Sequence, residues 1–185
     1  MNKINCMISA NDNQADSFIC HALLKLLKEM PHLDYPLIFF CIGTPKVPGD
    51  ALGPYIGTLL QELHLPNCIV YGTWKKPIHA LNLSENLMYA KKKHPGSCFI
   101  AIDASFGPPT HLGNIYIENR PIYPGRGVGK DLPPVGHIAI TSIICPNCKF
   151  RQKRLAKVSF SHMQCQAHPI LHGIFQALFY LFYFK

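Results

Sequence analysis

The chain of 185 residues carries 18 lysines and arginines against 10 aspartates and glutamates, which gives a formal net charge of +8. A hydrophobic fraction of 48% with a charged fraction of 15% excludes an intrinsically disordered chain and is typical of a globular domain. The basic balance favours acidic partners, but the charges are dispersed and no nucleic-acid-binding motif accompanies them. We therefore expect a generally basic surface without a dedicated nucleic-acid interface.

The cysteines and the N-terminus bear on the cellular compartment. The N-terminus lacks the order of charged, apolar and small residues that marks a secretory signal. Eight cysteines without such a signal favour reduced thiols and a cytoplasmic protein over a disulfide framework. An apolar stretch at residues 169–184 is shorter than the ~20 residues of a membrane span. We expect no membrane span there, but a core helix or a contact between copies in a homo-oligomer.

The first half of the chain alternates between helical and extended patterns. Residues 1–14 are polar and predict a flexible N-terminal arm. Residues 15–30 space their apolar side chains as an amphipathic helix does, and Pro31 ends that helix. Three short apolar runs then predict buried strands, with helices between them: strands at 37–42, 68–71 and 98–102, and helices at 50–63 and 82–93.

The alternation of helix and strand predicts the fold class. Right-handed crossovers turn such a pattern into a parallel sheet with helices on both faces. We predict an α/β fold, a three-layer αβα sandwich of the phosphorylase/hydrolase-like kind with a mostly parallel central sheet. It would form a single peptidase-like domain over residues 15–185. A 2-1-3 order of the first three predicted strands would make the first and third neighbours.

The second half of the chain has a different pattern. Residues 112–118 predict a strand, and residues 120–136 are rich in glycine and proline and predict a long loop. Residues 137–144 predict a further strand. Residues 150–183 are mostly helical in pattern, and we expect a break or bend near Pro169.

Two aspartates stand where predicted buried strands end. Asp50 follows the run at 37–42, and Asp103 closes the run at 98–102. Ligands of open parallel sheets bind outside the carboxyl ends of the strands, where strand order reverses. Such a pair can share one proton and supply a general base and a general acid, or it can hold a divalent metal with a third ligand. Helix capping by Asp50 and loop bracing by Asp103 are the structural alternatives.

Two further groups of residues are candidates for chemistry. His79 follows the second predicted strand and could line the same edge, either as a catalytic group or as a residue that satisfies local backbone groups. Cys145 and Cys148, followed by His162 and His168, have the bare spacing of a zinc finger. The apolar positions of a finger are missing around them, so we do not expect a structural zinc.

Four motifs in order resemble those of the YyaC-type sporulation proteins, often labelled spore proteases. The resemblance runs from about residue 37 to residue 144. The motifs are Cys41-Ile42-Gly43-Thr44 with Gly49-Asp50-Ala51-Leu52-Gly53-Pro54, Val70-Tyr71-Gly72-Thr73 with Pro77-Ile78-His79-Ala80-Leu81-Asn82, Ala101-Ile102-Asp103-Ala104, and Pro124-Gly125 through Pro133-Pro134-Val135-Gly136.

The resemblance implies a fold similar to the hydrogenase-maturation endopeptidases and to the spore germination protease. It places Asp50 and Asp103 on two acidic metal ligands of the former, and His137 on the third ligand. It thus implies a sporulation-associated peptidase of the sporulating cell or forespore that cleaves a protein or peptide substrate. Asp50, Asp103 and His79 would be catalytic, with or without a divalent metal on Asp50, Asp103 and His137. A non-enzymatic module that binds a spore component is the alternative.

Overall fold

The computed structural model describes residues 5–30, 35–125 and 132–184, and within them one mixed sheet is flanked by helices. Two single 3₁₀ turns, Pro48–Asp50 and Pro109–His111, follow strands. The strands are β1 (Asn5–Ser9), β2 (Leu37–Cys41), β3 (Cys68–Tyr71), β4 (Phe99–Gly107), β5 (Asn114–Glu118) and β6 (Ile138–Pro146). The helices are α1 (Ala15–Lys28), α2 (Leu52–Glu62), α3 (Leu83–Lys93), α4 (Arg151–Leu155) and α5 (Phe160–Tyr183).

The order of strands across the sheet is β1-β5-β6-β4-β2-β3. The four strands β3, β2, β4 and β6 run parallel, whereas β5 pairs antiparallel with β6 and β1 pairs antiparallel with β5. The predicted strands at 37–42, 68–71 and 98–102 are β2, β3 and β4, so their predicted 2-1-3 order is confirmed. All five residues of β2 are buried, which is why its sequence is continuously apolar rather than alternating.

The sheet is covered on both faces, which confirms the predicted αβα sandwich. Side chains of α1, α2 and α5 form the larger core with one face of the sheet. Gly173 of α5 lets that helix approach Ile19 of α1, because a Cβ at Gly173 would lie 2.6 Å from the Cβ of Ile19. The other face is covered by α3, through Leu83, Leu87 and Ala90.

Two expectations about the ends of the chain need correction. Residues Asn5–Ser9, inside the segment expected to be a flexible arm, form the edge strand β1, which pairs antiparallel with β5. The helix α5 continues through Pro169, and the break in the helical segment comes earlier, between α4 and α5. Pro169 has no N–H, so the carbonyl of Cys165, four residues earlier, loses its helical hydrogen-bond partner.

The apolar end of the chain forms most of α5, as a core helix packed on α1. Within the described residues, no helix combines the length and the apolar character needed to cross a membrane.

Candidate functional site at the carboxyl edge of the sheet

Asp50 is held in a tight loop that follows β2. The backbone N–H of Thr44 donates both to the carbonyl of Asp50, at 3.0 Å, and to its Oδ2, at 2.9 Å. The backbone N–H of Asp50 in turn donates to the carbonyl of Val47, at 2.9 Å. Gly43 has φ +139°, and a Cβ there would lie 2.0 Å from the carbonyl oxygen of Asp50. The loop therefore needs glycine at this position to bring Asp50 back over the end of β2.

Asp103 lies in β4 next to the end of β2. Cys41, the last residue of β2, pairs with Ile102, so Asp103 is one residue beyond that level. Ile102 belongs to the core under α1 and α5, whereas Ala101 belongs to the core under α3. Because successive side chains of a strand alternate between faces, Asp103 projects on the α3 side of the sheet.

Burial perturbs both carboxyl groups, and the charge of Asp50 also acts on Asp103. Burial raises the pKa of Asp50 to about 6, against a smaller lowering by the Thr44 N–H. Burial also raises the pKa of Asp103 well above its usual range, and the charge of Asp50 raises it further, while the Ala104 N–H lowers it. With a pKa of about 6, Asp50 is mostly ionised at neutral pH, whereas burial and the charge of Asp50 both favour the protonated form of Asp103. Asp50 and Asp103, the aspartate pair, thus combine a base and an acid at one place.

His79 lies at the same edge of the sheet. Its neighbour Ile78 bridges Ile42, the residue after β2, and the Ile78 carbonyl accepts the N–H of Gly43 at 2.7 Å. The backbone N–H of His79 donates to Asn82 Oδ1 at 2.9 Å, and its Nδ1 lies 3.4 Å from the N–H of Leu81. That contact favours the tautomer with the proton on Nε2. None of the hydrogen bonds among the described residues joins His79 to either aspartate.

His137 is not brought to this edge. It precedes β6, and its N–H donates to the carbonyl of Phe99, the first residue of β4, at 2.7 Å. The N–H of Phe99 returns a bond to His137 Nδ1 at 2.9 Å. Asp103 lies four residues further along β4, about 13 Å away at the rise of a strand. The predicted metal set of Asp50, Asp103 and His137 is therefore split between opposite edges of the sheet.

The donor set at the aspartate pair does not fit a three-ligand metal site. Across residues 5–30, 35–125 and 132–184, the structure shows no group of three or more histidine, cysteine, aspartate or glutamate side chains placed to hold a metal ion. The residues with the spacing of a zinc finger have other surroundings. Cys145 is buried in β6, and His162 Nε2 lies 2.9 Å from Gln166 Nε2 on the same helix. We derive no step through a metal.

A family model described as a protein of unknown function (DUF1256) matches residues 7–164. The chain belongs to the DUF1256 family. It is also 39% identical, over 109 residues, to the uncharacterized protein YyaC of Bacillus subtilis (strain 168). That match covers 59% of this chain and 53% of the relative, so the chain matches about half of the length of that relative. These findings confirm the resemblance to YyaC-type proteins, and Asp50, His79 and Asp103 all lie inside the region that matches the family.

The DUF1256 chain also carries a basic cavity that its sequence does not predict as a site. The cavity, of about 530 Å³, has an apolar floor that includes Ile144 and Val158, and Lys153, Arg154 and Lys157 line it. Val158 also packs near Gly49, the neighbour of Asp50, because a Cβ at Gly49 would lie 3.0 Å from its Cγ2. The sequence shows the basic cluster but not the fold that places it near the Asp50 loop.

Residues 126–131 of the fourth motif lie outside the described residues.

Proposed function

We propose that this protein is a peptidase whose aspartate pair hydrolyses an amide bond without a resident metal. The observation that carries the proposal is a pair of carboxyl groups at one strand-end edge, in which the charge of Asp50 favours the protonated form of Asp103. Burial raises both pKa values, and the charge of Asp50 adds to the increase at Asp103. Carboxyl pairs divided in this way supply the two proton transfers that amide hydrolysis needs.

In the proposed reaction, the Asp50 carboxylate takes a proton from water as the water oxygen attacks the carbonyl carbon of the substrate. The C–N bond then breaks, and protonated Asp103 gives its proton to the leaving nitrogen. The products are a carboxylic acid and an amine. Asp50 is left protonated and Asp103 ionised, and transfer of a proton from Asp50 to Asp103 restores the starting state. His79 would act by donating from Nε2 to the substrate carbonyl.

The substrate class follows from the resemblance and from charge. The resemblance to spore proteases supports a protein or peptide substrate in the sporulating cell or forespore. Lys153, Arg154 and Lys157 favour an acidic segment of that substrate, since the cavity that they line approaches the Asp50 loop. The apolar floor of the cavity would take a hydrophobic side chain of the same segment.

A peptide-library assay read by mass spectrometry tests this function. Cleavage by the purified protein should be lost in Asp50→Asn and in Asp103→Asn, because each substitution removes one proton transfer. Asp12→Asn is the matched control, since Asp12 is exposed and its side chain accepts a local turn hydrogen bond from the N–H of Gln14. Equal cleavage by all three variants would overturn the proposal.

A non-enzymatic binding module for a spore component is the second candidate. It is favoured by one observation: neither Asp50 nor Asp103 lines the basic cavity. Under this alternative, a captured peptide would bind equally well to the wild-type protein and to the two Asn variants, and no variant would cleave it.

A further inference from the structure

A second cavity, of about 380 Å³, lies at the opposite edge of the sheet from the aspartate pair. It forms where α3 ends and β4 begins, and Met30, Pro95 and Phe99 give it apolar walls. Its polar groups come from Lys91, near the end of α3, from Ser97, in the turn before β4, and from His137, before β6. The site is therefore assembled from three segments that the sheet holds in register.

Ser97 is the most informative of these groups. Its side chain is buried, at 4% exposure, and its Oγ has no hydrogen-bond partner. A buried hydroxyl without a partner is uncommon, because its desolvation is not compensated. Since Ser97 lines the cavity, a ligand there could supply the missing partner.

His137 adds a donor of fixed orientation. Its Nδ1 accepts the N–H of Phe99, so the neutral ring carries its proton on Nε2. Burial lowers the pKa of His137, and the nearby Lys91 ammonium lowers it further, which keeps the ring neutral at physiological pH. Nε2 is thereby available as a donor beside a positive charge.

The other titratable residues that line the cavity, His94 and Cys98, bring no negative charge to it. The Nε2 atom of His94 forms a hydrogen bond with the Tyr71 hydroxyl, at 3.0 Å. Burial raises the pKa of the Cys98 thiol to about 11, so the cavity holds no thiolate at neutral pH. None of the described residues that line the cavity is acidic. Ser97, His137 and the positively charged Lys91 therefore line a cavity whose described lining residues include no carboxylate.

We infer that this cavity binds an oxyanion, the carboxylate or phosphate group of a small ligand, through Ser97 Oγ, His137 Nε2 and Lys91 Nζ. An oxyanion offers acceptor lone pairs to all three donors, and its charge matches that of the ammonium. The site stands apart from the aspartate pair and does not depend on the peptidase proposal.

Nuclear magnetic resonance of protein labelled with ¹⁵N-histidine tests the inference. Inorganic phosphate and acetate are titrated separately at neutral pH, with chloride keeping the ionic strength constant. We expect a saturable shift of the His137 Nε2 resonance. Tighter saturation by phosphate would identify a phosphate-bearing ligand, and tighter saturation by acetate a carboxylate.

Two variants and one control separate a specific site from general attraction. Ser97→Ala and Lys91→Met should each weaken binding about tenfold or more, as expected for a hydrogen bond to a charged group. Lys92→Met is the control, because Lys92 is the exposed neighbour of Lys91 and does not line the cavity. The absence of a saturable shift with both anions would overturn the inference. So would equal binding by the wild type, Ser97→Ala and Lys91→Met.

Discussion

The charge of Asp50 raises the pKa of Asp103 beyond the increase that burial alone produces. Two features of the chain create this relationship. The Gly43–Asp50 loop folds Asp50 back over the end of β2, and the parallel pairing of β2 with β4 places Asp103 beside that end. The resulting pair accounts for the proposed chemistry and has consequences for stability.

Stability should fall as pH rises from about 4 toward neutrality. Both carboxyl groups have folded-state pKa values above that of an unfolded aspartate, so the folded state retains protons that the unfolded state releases. Their favourable contribution is present below pH ~4 and is lost as pH rises through the folded-state values. For Asp50 alone, the shift from 3.8 to about 6 corresponds to a loss on the order of 3 kcal/mol.

Urea unfolding of the wild type and of Asp103→Asn, followed across that pH range, measures this effect. The Asn variant should show a shallower decline and should be the more stable protein at neutral pH, because it buries no ionisable group at position 103. Asp12→Asn should keep the wild-type profile. A wild-type stability that increases over this range would contradict the raised pKa values of the pair.

The loop glycine gives a second prediction. Gly43→Ala should reduce the free energy of unfolding by more than about 2 kcal/mol, because the new Cβ would meet the Asp50 carbonyl at an unfavourable φ. Gly113→Ala is the matched control: it has a positive φ of 83° but nothing within 4 Å of its Cβ position. It should cost only about 1 kcal/mol. Equal losses for the two variants in urea unfolding would exclude a special role for Gly43.

The basic cavity gives a third prediction. Reversing two charges with Lys153→Glu and Lys157→Glu should lower kcat/KM for acidic peptides more than for neutral peptides of the same length. The physical reason is that the charge change removes attraction to an acidic segment but leaves the aspartate pair in place. Lys25→Glu with Lys28→Glu, on the exposed side of α1, makes the same charge change elsewhere. An unchanged preference in the cavity variant would contradict the proposed substrate class.

The exposed aromatic side chains of α5 give a fourth prediction, for the proposed homo-oligomer. Phe175, Phe179 and Tyr183 follow one another at helical spacing and are 41%, 42% and 63% exposed. We predict that sedimentation velocity shows a self-associating protein and that Phe179→Glu makes it monomeric. Met88→Glu, at an exposed apolar residue of α3, should leave association unchanged. A wild-type protein that is monomeric at high concentration would exclude this contact.

The parallel part of the fold could be predicted because its sequence signals are local. The continuous apolar run of β2 indicates a strand covered on both faces, and the helices between strands require crossovers of one hand. The edge strand β1 was missed although Cys6 and Ile8 pack toward the core and Met7 is exposed. That alternation is present in the sequence but is too short to indicate a strand by itself.

The candidate site could be predicted only in part. Asp50 and Asp103 were identified because each follows an apolar run, and parallel strands bring their carboxyl ends to one edge. His137 was wrongly assigned to that edge, since a residue that precedes a parallel strand lies at the opposite edge. Ser97 gave no sequence signal, because an unpartnered buried hydroxyl can be recognised only from its surroundings.

A carbon-detected titration of the aspartate carboxyl groups by nuclear magnetic resonance tests the aspartate pair most directly. Our account predicts that Asp50 titrates near pH 6 and that Asp103 titrates well above the ordinary aspartate pKa. It also predicts that the pKa of Asp103 falls in Asp50→Asn, because the charge of Asp50 is removed while the half-buried position of Asp103 is kept. Titration of both groups near the ordinary aspartate pKa, or an Asp103 pKa that Asp50→Asn leaves unchanged, would contradict the account.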